Sequence, residues 1–240
     1  MRQVCVALAV MFAGALAGGC GGETYPNLGP AREVITKSID SIGGLKDWQK
    51  VKTVQAVAIV TSYDNAGAAL VDRLDLTMDF AAGTIQAAGR ATTGSWTAKA
   101  DIGGAFGSEG PAPAAMVSCL PTILHRCEGP LNFLHTDKAL NIRRARVNGA
   151  DVDRVGATGP NGARLAYYFD TVTGLLRFLS AGDDTAGGRG TVTIYGRESY
   201  VMLPSGLVFP HKFRIVKLGR DTLVGETPVL EVEFTDIKAK

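Results

Sequence analysis

Two spacings of apolar residues divide this chain. Ahead of residue 50 they recur at helical intervals: Ala31, Val34, Ile35, Ile39 and Ile42 share one face, with Pro30 at a first-turn position. That predicts a helix over residues 31–42, closed by Gly43-Gly44, with a short second turn from Leu45 to Val51 around Trp48. From Val54 the interval becomes two. Leu70, Leu74, Leu76, Met78 and Phe80 oppose Arg73, Asp75, Thr77 and Asp79, and Trp96, Ala98, Ala100 and Ile102 oppose Ser95, Thr97, Lys99 and Asp101. Alternation of this kind belongs to antiparallel strands with one buried face and one wet face.

The middle of the chain breaks that alternation. Gly103 to Gly110 reads as a flexible glycine-rich loop, with no lysine and threonine behind it to make a phosphate cradle. Met116, Cys119, Leu120, Ile123 and Leu124 then return to helical spacing, which predicts a helical insertion over about residues 103–135. Strands resume from Leu140, joined by the hairpin signals Asn148-Gly149 and Asn161-Gly162. They end in Leu230, Val232 and Phe234, alternating with Glu231, Glu233 and Thr235. The expected order is a helix, about four strands, the insertion, then about seven strands.

The first twenty residues differ in kind. Arg2 precedes an apolar run from Val4 to Leu16, and the small residues Ala17, Gly18 and Gly19 stand directly before Cys20. The run is too short to cross a bilayer core of ~30 Å, so it reads as a secretory signal. Its end resembles a lipobox, in which the cysteine is acylated and the chain is cut before it. The large apolar residue, Leu16, lies four positions ahead of the cysteine instead of the usual three. The resemblance implies a signal peptide over 1–19, a lipid (palmitate among its acyl chains) on Cys20, and a tether over 20–30. Ordinary cleavage after Ala15-Leu16-Ala17 is the alternative. Gly21 is not the aspartate associated with inner-membrane retention, which places the anchor on the outer membrane facing the periplasm.

Without Arg2 the chain carries 24 Lys and Arg against 23 Asp and Glu, and that balance argues against a nucleic-acid partner. About 220 mature residues suit one β-rich domain, expected over residues 31–238. In an exported protein, Cys119 and Cys127 read as a disulfide. One unbroken helix would separate them by about 12 Å, whereas a bridge needs Cα atoms within about 7 Å. The disulfide therefore requires the segment to fold back, at Pro121 or at Glu128-Gly129-Pro130. A metal site with His125 or a reactive thiol are the other readings of this pair.

Several short stretches resemble the LolA/LolB-like periplasmic lipoprotein-sorting superfamily. They are Ile42-Gly43-Gly44 with Trp48 and Val51, Ala166-Tyr167-Tyr168-Phe169-Asp170 with Thr173-Gly174-Leu175, Gly206-Leu207-Val208-Phe209-Pro210, and Leu230-Glu231-Val232-Glu233-Phe234. The resemblance implies an α+β, mostly antiparallel fold: an incomplete curved β-barrel of about eleven strands wrapped around helices and holding an apolar pocket. It transfers no functional residue. The strand faces supply the candidates for the pocket: Leu74, Leu76, Met78, Trp96, Leu165, Tyr167, Phe169, Phe213, Leu230, Val232 and Phe234. The insertion is expected to gate a cavity between these side chains and the helices.

Catalytic and metal motifs are missing from the sequence. His125, His135 and His211 lack a helical partner at four residues or an HExxH setting, and read as surface or capping residues. No G-x-S-x-G occurs around Ser108 or Ser118. Arg143-Arg144-x-Arg146 lies along a strand, where it reads as a wet face or a contact for anionic headgroups. No enzyme, cofactor or metal is expected. The expected function is a lipid-anchored module binding a lipid, an acyl chain or a lipoprotein. A structural or interaction lipoprotein of the cell envelope is the alternative. An unfilled apolar cavity would favour the first, a solid core the second.

Overall fold

A computed structural model describes residues 28–183, 189–196, 198–217 and 228–240. The predicted signal, Cys20 and most of the tether therefore lie outside the described residues. A 3-10 turn at Gly29–Ala31 leads into α1 (Arg32–Ser41) and the single turn α2 (Leu45–Trp48). Five strands follow: β1 (Val54–Tyr63), β2 (Ala69–Asp79), β3 (Thr84–Ala91), β4 (Gly94–Asp101) and β5 (Gly104–Glu109). Then come α3 (Ala114–Glu128) and a 3-10 turn at Gly129–Leu134. Five more strands complete the second run: β6 (Lys138–Val147), β7 (Ala150–Thr158), β8 (Arg164–Asp170), β9 (Leu176–Asp183) and β10 (Arg189–Ile194). A small ribbon, β11 (Tyr200–Met202) and β12 (Val208–Pro210), precedes β13 (Lys212–Lys217) and β14 (Pro228–Ala239).

Among the described residues, twelve strands form one antiparallel sheet in the order β5-β4-β3-β2-β1-β14-β13-β10-β9-β8-β7-β6, and β11 pairs only with β12. β5 and β6 stand at its two ends, so the sheet is an unclosed, curved barrel around the helices. The sequence pattern expected about eleven strands. β5 accounts for part of the difference. Gly103 to Gly110 is not a loop: residues 104–109 pair with β4, Thr97 opposite Glu109 and Asp101 opposite Gly104. Glycines that weaken a strand interior are tolerated at a sheet end, where only one neighbour has to be satisfied.

The helical insertion also differs from expectation. α3 runs unbroken through Pro121, which removes one helical hydrogen bond without ending the helix. Gly129, at φ +52°, closes it in the left-handed conformation that a glycine enters without a Cβ penalty. Cys119 and Cys127 are free thiols. The expected disulfide is not present in this structure, where eight residues of continuous helix hold the two side chains about 12 Å apart along the axis.

The stretches that carried the family resemblance meet in space. Gly43, at φ +112°, lies against Leu207, where a Cβ would come within 2.8 Å of Leu207 Cδ2. The Val208 amide donates to the Ile42 carbonyl at 3.0 Å, and Trp48 Nε1 donates to the same carbonyl at 2.9 Å. Trp48 packs on Phe80, and Phe80 on Phe209. The turn after β8 reaches α1, with Lys37 Nζ donating to the Thr171 carbonyl at 2.7 Å. These contacts fix α1 and α2 at one rim of the sheet.

Candidate functional site

The sheet's alternation decides what its concave face holds. All eleven residues expected to line the pocket are buried, and all belong to one contiguous hydrophobic core. Register explains their convergence: Leu76 lies opposite Ala56 and Ala87, Phe213 opposite Val232, and Val232 opposite Val60. A second row runs Leu230, Ile215, Thr193, Leu179, Tyr167 and Val155 across six strands. Trp96 fits only because its neighbour on β3 is Gly89, whose Cβ would stand 2.5 Å from the indole ring. Ring packing joins Tyr167 to Phe133 and Phe169, and Phe213 to Phe234.

Two elements cover this face. α3 lies over β3, β4 and β5, burying Met116, Leu120, Ile123 and Leu124. The Gly129–Leu134 turn then sets Phe133 on Tyr167, with ring centroids 4.6 Å apart. The cavity expected between sheet and helices is occupied by these side chains. Two open grooves, of about 750 Å3 and about 520 Å3, lie on the outer face of the sheet, the larger flanked by Ile59, Glu231, Glu233, Lys212, Arg214 and His211.

A charged cluster sits where α3 enters the core. From Ile123 to Glu128 every residue of the helix is buried, polar ones included. His125 is a core residue and not the surface or capping histidine the sequence suggested. Its Nε2 stands 3.2 Å from a carboxylate oxygen of the fully buried Asp137, and Tyr167 donates its hydroxyl to that same oxygen. The Arg126 guanidinium lies 2.7 Å from His125 Nδ1. Tyr195 donates to the Arg126 carbonyl at 2.9 Å, and Asn132 Nδ2 donates to the carbonyls of His125 and Gly129. Burial pushes the Tyr167 hydroxyl well above the ordinary tyrosine value, and the charge of Asp137 pushes it further.

Glu128 is the exposed nerve of this arrangement, although it is fully buried. Neither carboxylate oxygen has a hydrogen-bond partner among the described residues. His135 Nε2, at 3.8 Å, is at ion-pair distance but too far for a hydrogen bond. Burial therefore raises the Glu128 carboxyl above its usual value, and His135 only partly offsets that. Burial also raises both thiols, that of Cys127 by more. His135 is exposed, as expected for a surface histidine, whereas His211 is half-buried beside the larger outer groove. The cluster's partners are twelve and forty-two residues from His125, so no local motif announces them.

No protein-family model matches the sequence, and no curated protein matches it. Solved structures do. A LolA superfamily protein from Nitrosomonas europaea is 10% identical, with a TM-score of 0.56 over 87% of this chain and 93% of that one. A domain named for outer membrane lipoprotein sorting, from Vibrio parahaemolyticus, gives 9% identity and a TM-score of 0.53 over 87% and 91%. This chain has a LolA/LolB-like fold. A DUF1329 family protein from Desulfovibrio piger shares that fold at 11% identity and a TM-score of 0.51, over 88% and 93%. At such identities the likeness is one of architecture, an open antiparallel sheet around helices. It assigns no cargo and no residue role.

Proposed function

We propose that this protein is an exported, lipid-anchored component of the bacterial cell envelope. Its LolA/LolB-like half-barrel binds an acyl chain, a lipid or a lipoprotein's lipid moiety, and it performs no catalysis. The anchor is Cys20, on the outer membrane facing the periplasm. The carrying observation is the way the concave face is closed. It is apolar except at Thr193 and beside the buried polar cluster, the sheet around it is open, and a single helix covers β3 to β5.

Cargo would enter by displacing that cover as a unit. Gly110, at φ +75°, and Gly129, at φ +52°, bound α3 with bends at both ends. Its inner end is fastened through His125 and Arg126, which meet Asp137 and Tyr195. Buried charges of this kind stabilise weakly compared with apolar packing, so the fastening is a natural point of release. Cargo would replace the α3 side chains against the sheet, held by area burial at ~25 cal/mol per Å2 with few directional contacts. His125, Asp137 and Tyr167 are sealed from solvent, which suits a fastening and not a substrate site.

A filled interior also supports a second reading, in which the protein is a structural or interaction lipoprotein with no small cargo. Titration of an environment-sensitive fluorescent fatty acid into delipidated protein separates the two, followed by hydrogen exchange on α3. Saturable binding with altered exchange in α3 supports the carrier. If no binding is detected, the structural reading stands.

A further inference from the structure

β6 closes one end of the sheet, with β7 on one side and no strand on the other among the described residues. Its sequence is Lys138-Ala-Leu-Asn-Ile-Arg-Arg-Ala-Arg-Val147, with four cations and no acid. Lys138, Arg143, Arg144 and Arg146 are all exposed, and so are two large apolar residues between them, Leu140 and Ile142. Register sends the arginines to both faces. Arg144 and Arg146 share a face with Asp153 and Asp151, while Arg143 stands on the other, opposite Arg154. The two acids do not neutralise the edge. Arg144 lies 3.3 Å from Asp153 and Arg146 3.8 Å from Asp151, with both guanidinium groups largely in solvent, where such pairs are weak.

The path of the chain adds a second constraint. The Gly29–Ala31 turn packs beside β6, so the amino-terminal segment reaches the domain at this edge. Seven residues separate Cys20 from Leu28, and the eight steps between the two span no more than about 29 Å when fully extended. With a lipid on Cys20, the edge beside that turn is held within this distance of the bilayer.

We infer that β6 is a membrane-docking edge that lies against an anionic phospholipid surface. Arginines on both sides of the strand meet phosphate headgroups while Leu140 and Ile142 enter the interfacial layer between them. The closeness of the edge to the bilayer rests on the lipid-anchor reading, whereas its affinity for anionic lipid does not.

The test uses the full chain carrying Cys20→Ser, so that no acyl chain contributes, sedimented with vesicles of phosphatidylglycerol or of phosphatidylcholine. Binding to the phosphatidylglycerol vesicles alone, weakened by added salt, is the expected result. Reversing Arg143, Arg144 and Arg146 to Glu lowers that binding by more than about tenfold. Reversing Arg73 and Arg90, exposed on β2 and β3 in the other half of the sheet, leaves it nearly unchanged. Leu140→Ser weakens binding without abolishing the lipid preference. Equal binding to both vesicles, none to either, or equal losses in the two charge-reversal sets overturns the inference. The anchor is judged separately: a wild-type chain without added lipid mass rejects lipidation and leaves the vesicle result standing.

Discussion

His125 Nδ1 accepts a hydrogen bond from the Arg126 guanidinium at 2.7 Å, although the two residues are neighbours in the chain. A guanidinium only donates, so Nδ1 holds its lone pair and the imidazole proton sits on Nε2, facing Asp137 at 3.2 Å. Asp137 is thereby the acceptor for both His125 and Tyr167, and the central group of the cluster. Asp137→Ala is expected to destabilise the fold by about 3–5 kcal/mol, because it leaves buried donors unpaired. Tyr167→Phe, which removes one donor, should cost about 1–3 kcal/mol. Urea unfolding of both variants and of the double variant measures this. Additive losses would show that the two residues do not act as one unit.

Glu128 should behave in the opposite way. Burial raises its carboxyl value in the folded state above that of the unfolded chain. The native protein then keeps a proton that the unfolded chain has already released, so this group's contribution falls as pH rises from the ordinary carboxylate range to the raised value. Glu128→Gln removes that loss. It is expected to stabilise the protein by on the order of 1 kcal/mol at neutral pH, with the gain vanishing in acid. Stability curves for both proteins across pH, in which the gap stays constant, would contradict the assignment.

The thiols on α3 are expected to stay unpaired. Burial raises both, and Cys127 is the more enclosed, so alkylation of the folded protein should modify Cys119 first and Cys127 only on unfolding. Peptide mapping without reduction reads both the pairing and the order. A peptide linking residues 119 and 127 would mean that α3 can break.

Gly89 is a packing residue and needs no special backbone angle. Gly89→Ala places a methyl against the Trp96 ring on the neighbouring strand and should cost about 1–3 kcal/mol. Thermal unfolding together with Trp fluorescence checks it. An unshifted indole environment with unchanged stability would show that the β3–β4 pair can give way.

The strands were legible in the sequence wherever one face is buried and the other wet. Leu74, Leu76 and Met78 on β2 and Trp96, Ala98 and Ala100 on β4 read directly as core residues, as did Leu230, Val232 and Phe234 on β14. Asn148-Gly149 makes the expected hairpin turn, at φ +48° and +78°. β5 was hidden because an end strand rich in glycine has neither alternation nor β-branched residues. The charged cluster was hidden for another reason. The second half of α3 dives into the core and is buried on all sides, so no polar stripe distinguished His125 from a surface residue. The filled state of the pocket was equally invisible, since periodicity tells which face is apolar and not what lies against it.

β1 and β14 pair along most of their length in the middle of the sheet, Ser62 opposite Leu230 and Val54 opposite Ala239. The strand that begins the sheet is thus completed by the one that ends it, after every other strand has been made. No partial chain, emerging amino terminus first, can close the centre of this barrel. Until the last strand arrives, β1 keeps one flank unpaired with an apolar face beside it. Assembly is therefore late and dominated by contacts distant in sequence, which predicts slow folding and a need for protection from aggregation until the last strand is in place.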